Sequence, residues 1–315
     1  MLKIGVQTQN VIDDNCPERG FNMLHNAGFD CVDFSLHSYL INKDIYKGKR
    51  NDFFDKSTAD LEKYFAPQKL AAKAVGITIH QMHMPYPMYV PKGDEELNNY
   101  LVKNVAPKSL QICAFLECKY IVIHGFKLAK YLGSEEAEWQ YTEEFIKKIA
   151  PQLKEHGITV CIENLYESIG EHLVEGPCCN AQKAAERIDR LNDKYKAEIV
   201  GFCFDTGHAN LIGLDFEKFI TTLGSRLKVL HIHDNDGIRD LHQIPFTFSR
   251  ARESTTSTDW IGFISGLRNI NFKGVLNFET SPVLNSFPPE LNSAVLEMIA
   301  NIGRYFSDEV MKERV

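Results

Sequence analysis

The segment EEFIKKIAPQLKEHGITVCIEN, residues 143–164, holds one complete structural unit. Its first half spaces apolar residues at helical intervals. Gly157, directly after His156, ends such a helix cheaply, because glycine takes the left-handed conformation with no Cβ penalty. GITVCIEN (157–164) then reads as a short buried strand that ends on an acid, Glu163. The same unit recurs outward in both directions. Strand-like runs stand at 2–7, 30–36, 76–83, 118–126, 157–164, 199–205, 227–234 and 274–280. Helical spacing fills segments such as 57–76 and 181–195, and Gly28 and Gly76 repeat the stop signal. Eight strand–helix units predict an α/β fold, a (β/α)8 barrel made of one domain over residues 1–315. A doubly wound open sheet is the rival. It calls for a glycine-rich phosphate loop after the first strand, and LKIGVQ is followed by none.

Four of these runs end on metal-ligand residue types: Glu163 in VCIENLYE, Asp205 in VGFCFDTGH, His231 in LKVLHIHDND and Glu279 in KGVLNFET. Barrels carry their chemistry at the C-terminal ends of the strands. Side chains two apart share a strand face. Glu163 therefore lies above Cys161, Asp205 above Cys203, His231 above Val229, and Glu279 above Asn277. Pointing into the barrel, the four converge on one site for a divalent ion. His233, two residues beyond His231 on the same face, is the competing imidazole. His83, His124, His208, Asp240 and His242 extend this set, as further ligands, as groups that orient ligands or as partners for substrate hydroxyls. His25, His80, His156 and His172 read as surface or helix residues, whereas His37 ends the second strand. Two long loops, roughly 37–56 and 235–257, follow strands and should cover the mouth.

Bulk properties narrow the function further. Net charge is -7 over 315 residues, which disfavours nucleic acid as the main partner. The eight cysteines include no CxxC pair, so neither a zinc ribbon nor a disulfide framework is expected, and a reducing compartment fits best. MLKIGVQTQN enters a strand at once, without the features of a secretory signal. No apolar run nears the ~20 residues of a membrane span. A cytoplasmic protein is expected.

IENLYE (162–167), FDTGHANL (204–211), LHIHDNDGIRDLH (230–242), STDWIGFISGL (257–267) and FKGVLNFE (272–279) resemble the xylose-isomerase-like barrel superfamily of sugar and sugar-phosphate isomerases and epimerases. The resemblance implies one divalent metal ion, Mn2+, Zn2+, Co2+ or Mg2+, on Glu163, Asp205, His231 and Glu279. It also implies a small sugar or sugar-phosphate substrate contacted by His208. Homo-oligomers that pair through loops or outer helices are common among such barrels. In this reading Glu163 and Glu279 are the catalytic pair. They take a proton from the carbon beside a carbonyl and return it, while the metal spreads the enediolate charge. His83, His124, Asp240 and His242 position hydroxyls with His208. A polyol or sugar-acid dehydratase of the inosose type would use the same metal site.

The superfamily also holds apurinic-site endonucleases of the endonuclease IV type, with three zinc ions and nine ligands. A fitting residue stands at each position: His83, His124, Glu163, Asp205, His208, His231, Asp240, His242 and Glu279. The acidic charge counts against that branch, as does QIPFTFSRARES (243–254) where a glycine-rich stretch would follow. Tyr86, Tyr89, Phe126, Tyr166, Phe246 and Trp260 are candidates to stack on a sugar, with Trp260 better suited to packing. Arg239, Arg250 and Arg252 are candidates to hold a phosphate.

Overall fold

A computed structural model describes residues 1–128, 134–248 and 257–312 of the chain. Eight parallel strands form the barrel: β1 (Lys3–Gln7), β2 (Cys31–Ser35), β3 (Thr78–His83), β4 (Tyr120–His124), β5 (Thr159–Glu163), β8 (Val200–Asp205), β9 (Leu227–His231) and β10 (Val275–Phe278). Their order is β10-β1-β2-β3-β4-β5-β8-β9. The ring closes where Ile232 pairs with Phe278. There the Ile232 N–H donates to the Asn277 carbonyl at 2.9 Å, and the Glu279 N–H donates to the Ile232 carbonyl at 3.1 Å. This seam fixes the heights of His231 and Glu279 relative to each other.

The strands are buried on both faces, as parallel strands covered by helices must be, and the two faces differ in chemistry. Ile121, Ile123, Val160, Ile162, Phe202, Phe204 and Leu230 join the large core between strands and helices. Val122, Cys161, Cys203 and Val229 form a second cluster of their own, all fully buried. These two sets alternate along each strand, so the second fills the barrel interior. Glu163, Asp205 and His231 continue this inner face upward, as the alternation predicts.

Local chemistry sets the element ends. Gly28 and Gly157 take left-handed φ values of 95° and 65° at helix C-termini. Asn180 caps the helix Ala181–Tyr195 by accepting from the Lys183 N–H at 3.0 Å. All eight cysteines are free thiols. Among the described residues, no helix is long and apolar enough to cross a membrane.

Two features depart from the sequence reading. An antiparallel hairpin, β6 (Tyr166–Ile169) and β7 (His172–Glu175), follows β5. Gly170, at φ 62°, begins its two-residue turn. His80, expected at the surface, instead sits half-buried on β3 with its ring 5.2 Å from that of Tyr120, and burial lowers its pKa to about 4. His37 stacks on Tyr86 at 4.9 Å.

Candidate active site

Glu163, Asp205 and His231 are the last residues of β5, β8 and β9, and Glu279 follows β10 directly. One ligand atom from each lies within 4.8 Å of the others. The His231 Nδ1 is 2.8 Å from Glu163 Oε1, 3.3 Å from Glu279 Oε2 and 3.9 Å from Asp205 Oδ2. Three of the four are fully buried, and the Glu279 side chain keeps 12% exposure toward the mouth.

The imidazole is held from behind. Its Nε2 lies 3.0 Å from Asp33 Oδ2, a buried carboxylate on β2. The same oxygen accepts from Gln81 Nε2 at 3.0 Å and faces Asn277 Nδ2 at 3.4 Å. Donation from Nε2 to Asp33 orients the ring so that Nδ1 is directed at the three carboxylates. Gln7, the last residue of β1, donates from Nε2 to Glu279 Oε1 at 2.6 Å. Sequence reasoning missed both Asp33 and Gln7. The available signal was a single acid or amide on the inward face of an otherwise apolar strand.

The remaining candidates surround this centre. His83 and His124 bring Nε2 to 3.5 Å and 3.1 Å from Glu163 Oε2. The Nδ1–H of His83 donates to the Met84 carbonyl at 2.7 Å, and Nε2 faces Glu163, which raises the imidazole's pKa against its burial. Asp205 accepts from the His208 N–H at 2.6 Å and so begins the short helix Thr206–Leu211. That cap turns the His208 ring over Asp240, with Nε2 3.4 Å from its Oδ2. His242 Nε2 approaches the same oxygen to 3.3 Å, and its Nδ1 donates to the Glu279 carbonyl at 2.9 Å. All nine residues that the endonuclease pattern requires thus join one network. His233 stays outside the four-residue set. It contacts Asp205 Oδ2 at 3.0 Å and stacks on His242 at 4.0 Å. His83–Glu163–His231 and His233–His242–Glu279 are further groups with metal-capable spacing.

Charge is distributed unevenly across the network. Burial disfavours an ionised Glu163, but the facing His231 outweighs it and holds the carboxyl well below its ordinary range. Burial likewise opposes ionisation of Asp240, and His242 and His208 overcome it. Against their own burial, His208 and His242 are raised to about 10, His208 chiefly by Asp205 and Asp240, His242 by Asp240. His124 goes the other way. Burial lowers it to about 4, since Glu163 compensates only in part. The site therefore contains both a neutral and a protonated imidazole at neutral pH.

A cavity of about 720 Å3 opens above these groups. His83, His124, Glu163, His208, Asp240, His242 and Glu279 make its floor, and Tyr86, Tyr89, Phe126 and Tyr166 contribute to its wall. Phe246 and Trp260 do not reach it. They pack against each other and against Phe306 of the C-terminal helix. Nor does Arg239 reach it. Its guanidinium is exposed and paired with Asp236 at 2.9 Å, because three residues of loop bring the two side by side. Arg250 and Arg252 lie outside the described residues. Asn42 and Tyr46, from the loop after β2, border the cavity, as expected for a loop over the mouth.

Comparison with known proteins gives a consistent picture. A family model described as a xylose isomerase-like TIM barrel matches residues 21–301. An uncharacterized protein of Sinorhizobium fredii, y4fM, is 33% identical over 120 residues, which is 38% of this chain and 35% of that one. A probable endonuclease 4 of Persephonella marina is 24% identical over 277 residues, 84% of each chain. Among solved structures, D-psicose 3-epimerase from Clostridium cellulolyticum H10, with D-tagatose, superposes with a TM-score of 0.67 at 16% identity, covering 97% of this chain and 99% of that one. The 3-keto-D-glucoside 4-epimerase YcjR from E. coli gives 0.65 at 16% identity, covering 96% and 100%.

Proposed function

The chain belongs to the xylose isomerase-like TIM barrel family, and on that premise we propose that it is a carbohydrate isomerase or epimerase dependent on one divalent metal ion. The observation that carries this reading is the convergence of Glu163, Asp205, His231 and Glu279 beneath a sugar-sized opening. The donor set fits a divalent cation. It offers three carboxylates and one oriented imidazole, and the buried Glu163 Oε2 meets the His124 and His83 Nε2 atoms at 3.1 Å and 3.5 Å without a well-aligned hydrogen bond. These four residues would hold Mn2+, Zn2+, Co2+ or Mg2+. When bound, such an ion polarises a carbonyl and so acidifies the carbon next to it.

The chain's own groups then handle the proton. Glu279 and Glu163 stand on opposite arms of the site, from β10 and β5, and act as base and acid with roles that exchange in the reverse direction. Gln7 fixes the Glu279 carboxylate through Oε1, which leaves Oε2, 3.3 Å from His231 Nδ1, for the metal ion or the proton. Neutral His124 can accept from or donate to a substrate hydroxyl, whereas Glu163 outweighs burial at His83 and favours its protonated form. His208 and His242, protonated beside Asp240, donate only. Closure of the floor by these buried side chains keeps water away from the proton in transit.

Structures of epimerases acting on ketoses and on a ketoglucoside support this reading through their shared fold. The dehydratase alternative needs the same residues and differs in outcome. The nuclease alternative has its nine residues assembled, but it lacks a matching surface. Lys127 is the one lysine or arginine lining the cavity among the described residues, and a DNA backbone demands several. The test is solvent deuterium exchange into a panel of ketoses and aldoses with the Mn2+-loaded enzyme. Isomerase chemistry requires exchange into at least one sugar. Loss of water from a polyol without any exchange would transfer the protein to the dehydratases.

Asp33 should behave as a positioning residue for His231. Substituting Asp33→Asn keeps the shape but weakens the hold on Nε2–H. Metal affinity should fall about 10–100-fold, read by titrating Co2+ and following its absorption band, with circular dichroism as the control for folding. An unchanged Co2+ affinity would remove Asp33 from that role.

A further inference from the structure

Lys127 and Glu167 line the same cavity but stand outside the groups with metal-capable spacing. Lys127 follows His124, the last residue of β4, by three positions, and Glu167 follows Glu163, the last residue of β5, by four. Both therefore belong to the wall above the floor. The Lys127 Nζ donates to the Tyr166 carbonyl at 2.7 Å and lies 3.4 Å from Glu167 Oε2. The other Glu167 oxygen, Oε1, accepts from the Ser168 N–H at 2.8 Å. Each head group is thus fixed through one partner and keeps bonding capacity for another, ammonium protons on Lys127 and the Oε2 lone pairs on Glu167. Across the mouth, Tyr46 borders the cavity from the loop after β2. Burial, and after it the Glu167 charge, raises the pKa of its phenol, so the Glu167 carboxylate faces the space between the two loops.

As an ion pair these two residues do little for the fold. The Lys127 side chain is 33% exposed and the Glu167 side chain 13%, and pairs that solvent reaches are weak. The arrangement suits a hydroxyl better. A sugar hydroxyl accepts and donates at once, so it can accept from Lys127 Nζ and donate to Glu167 Oε2, both bonds strengthened by charge. The Tyr166 ring connects this pair to the floor. Its centroid is 5.4 Å from that of His208 and 5.6 Å from Lys127 Nζ. The C–H face of a sugar chain therefore finds an aromatic surface between two polar ends.

We propose that Lys127 and Glu167 are specificity-determining residues that bind the terminal hydroxyl of an open-chain ketose, at the end of the sugar remote from the metal. This rests on the carbohydrate reading above and narrows it to ketoses whose last carbon carries a hydroxyl, the C6 hydroxyl in a ketohexose. The carbonyl and the C–H beside it stay on the floor between Glu163 and Glu279, where the proton transfer takes place. The remaining carbons cross Tyr166 to the pair. A sugar with a methyl group in place of the terminal hydroxyl leaves Lys127 and Glu167 desolvated with neither bond made, which is the strongest way a site rejects an analogue.

Isothermal titration of the Mn2+-loaded protein tests the proposal. The probes are the D- and L-forms of fructose, tagatose and psicose, each with its 6-deoxy counterpart, together with fructose 6-phosphate. For at least one pair, the parent ketose should bind at least about fivefold more tightly than the 6-deoxy sugar. Lys127→Met and Glu167→Gln should each bring that ratio close to one, with thermal melting as the control for folding. General damage to the site weakens both members of a pair and leaves the ratio where it was. The ring forms of each sugar in solution are common to all three proteins and cancel from the comparison. A ratio near one in the unaltered protein, a ratio that either substitution leaves unchanged, or no binding of any ketose would overturn the proposal. So would tightest binding of fructose 6-phosphate that Glu167→Gln strengthens further, which would make the pair an anion site. Failure of deuterium exchange into every ketose is a separate result. It removes the isomerase reading, and the parent-to-deoxy ratio still decides whether Lys127 and Glu167 hold the terminal hydroxyl.

Discussion

Substituting Glu279→Gln is expected to lower turnover by about 10²–10⁴-fold, the usual worth of a positioned general base, while the barrel still folds. The side chain stands on the cavity floor with 12% exposure. Its Oε1 is engaged by Gln7 at 2.6 Å and its Oε2 faces His231 Nδ1 at 3.3 Å. Glutamine keeps the volume and, through its amide oxygen, the bond from Gln7. It loses the negative charge and the capacity to take a proton. Because β10 is secured by its ladder to β1 and by the seam at Ile232, the fold does not depend on this carboxylate. Two roles have to be separated, since Glu279 is proposed both as metal ligand and as base. Exchange rates measured at increasing Mn2+ do this. If saturating metal restores turnover, the carboxylate served only to bind. If metal content reaches that of the unaltered enzyme and exchange into substrate stays low, it moves the proton. A rate unchanged at every metal concentration would eliminate Glu279 from the mechanism.

Why was so much of this site legible in the chain? The strands alternate strictly, so an acid or imidazole two residues above a small buried one has to face the interior. Cys161–Glu163 and Cys203–Asp205 behave in this way, and their lower members do form the inner cluster. Position along each strand was equally informative, because a charged side chain is most easily accommodated at the rim. What could not be read was pairing across the barrel. Asp33 meets His231 from 198 residues away, and Gln7 meets Glu279 from 272 residues away. In CVDFS nothing distinguishes Asp33 from an ordinary strand-end acid until the ring is closed. The β6–β7 hairpin escaped notice because its strands have only four residues each, and Gly170 alone marks the turn. Loop side chains misled for the opposite reason. Arg239 looked available for substrate, yet its nearest acid was Asp236, three residues earlier, and local pairing prevails over a distant ligand when both are solvated. Phe246 and Trp260 likewise found a partner in Phe306, which no local pattern announces.

Stripping the protein with a chelator should abolish turnover completely, and it should also lower the melting temperature. The second effect follows from linkage. A ligand that binds only the folded state stabilises it by RT ln(1 + [L]/Kd), about 4 kcal/mol when free metal is a thousandfold above Kd. The geometry explains why the folded state is favoured. Glu163, Asp205 and Glu279 present ligand atoms within 4.8 Å of one another and of His231 only when β5, β8, β9 and β10 are assembled. In the unfolded chain the same groups are separated and each binds weakly. Restoring Mn2+, Zn2+, Co2+ or Mg2+ should return activity and stability together, and the ion that restores most of both identifies the working cofactor better than affinity alone. Counting the ions then separates the two branches of the family. One tightly retained ion per chain is the expected result. The two further groups with metal-capable spacing, His83–Glu163–His231 and His233–His242–Glu279, are where additional ions would sit. Three ions retained through gel filtration, with incision of abasic DNA and no exchange into any sugar, would replace the carbohydrate assignment with a nuclease. Three ions with sugar exchange would leave the chemistry in place and change only the stoichiometry of the centre.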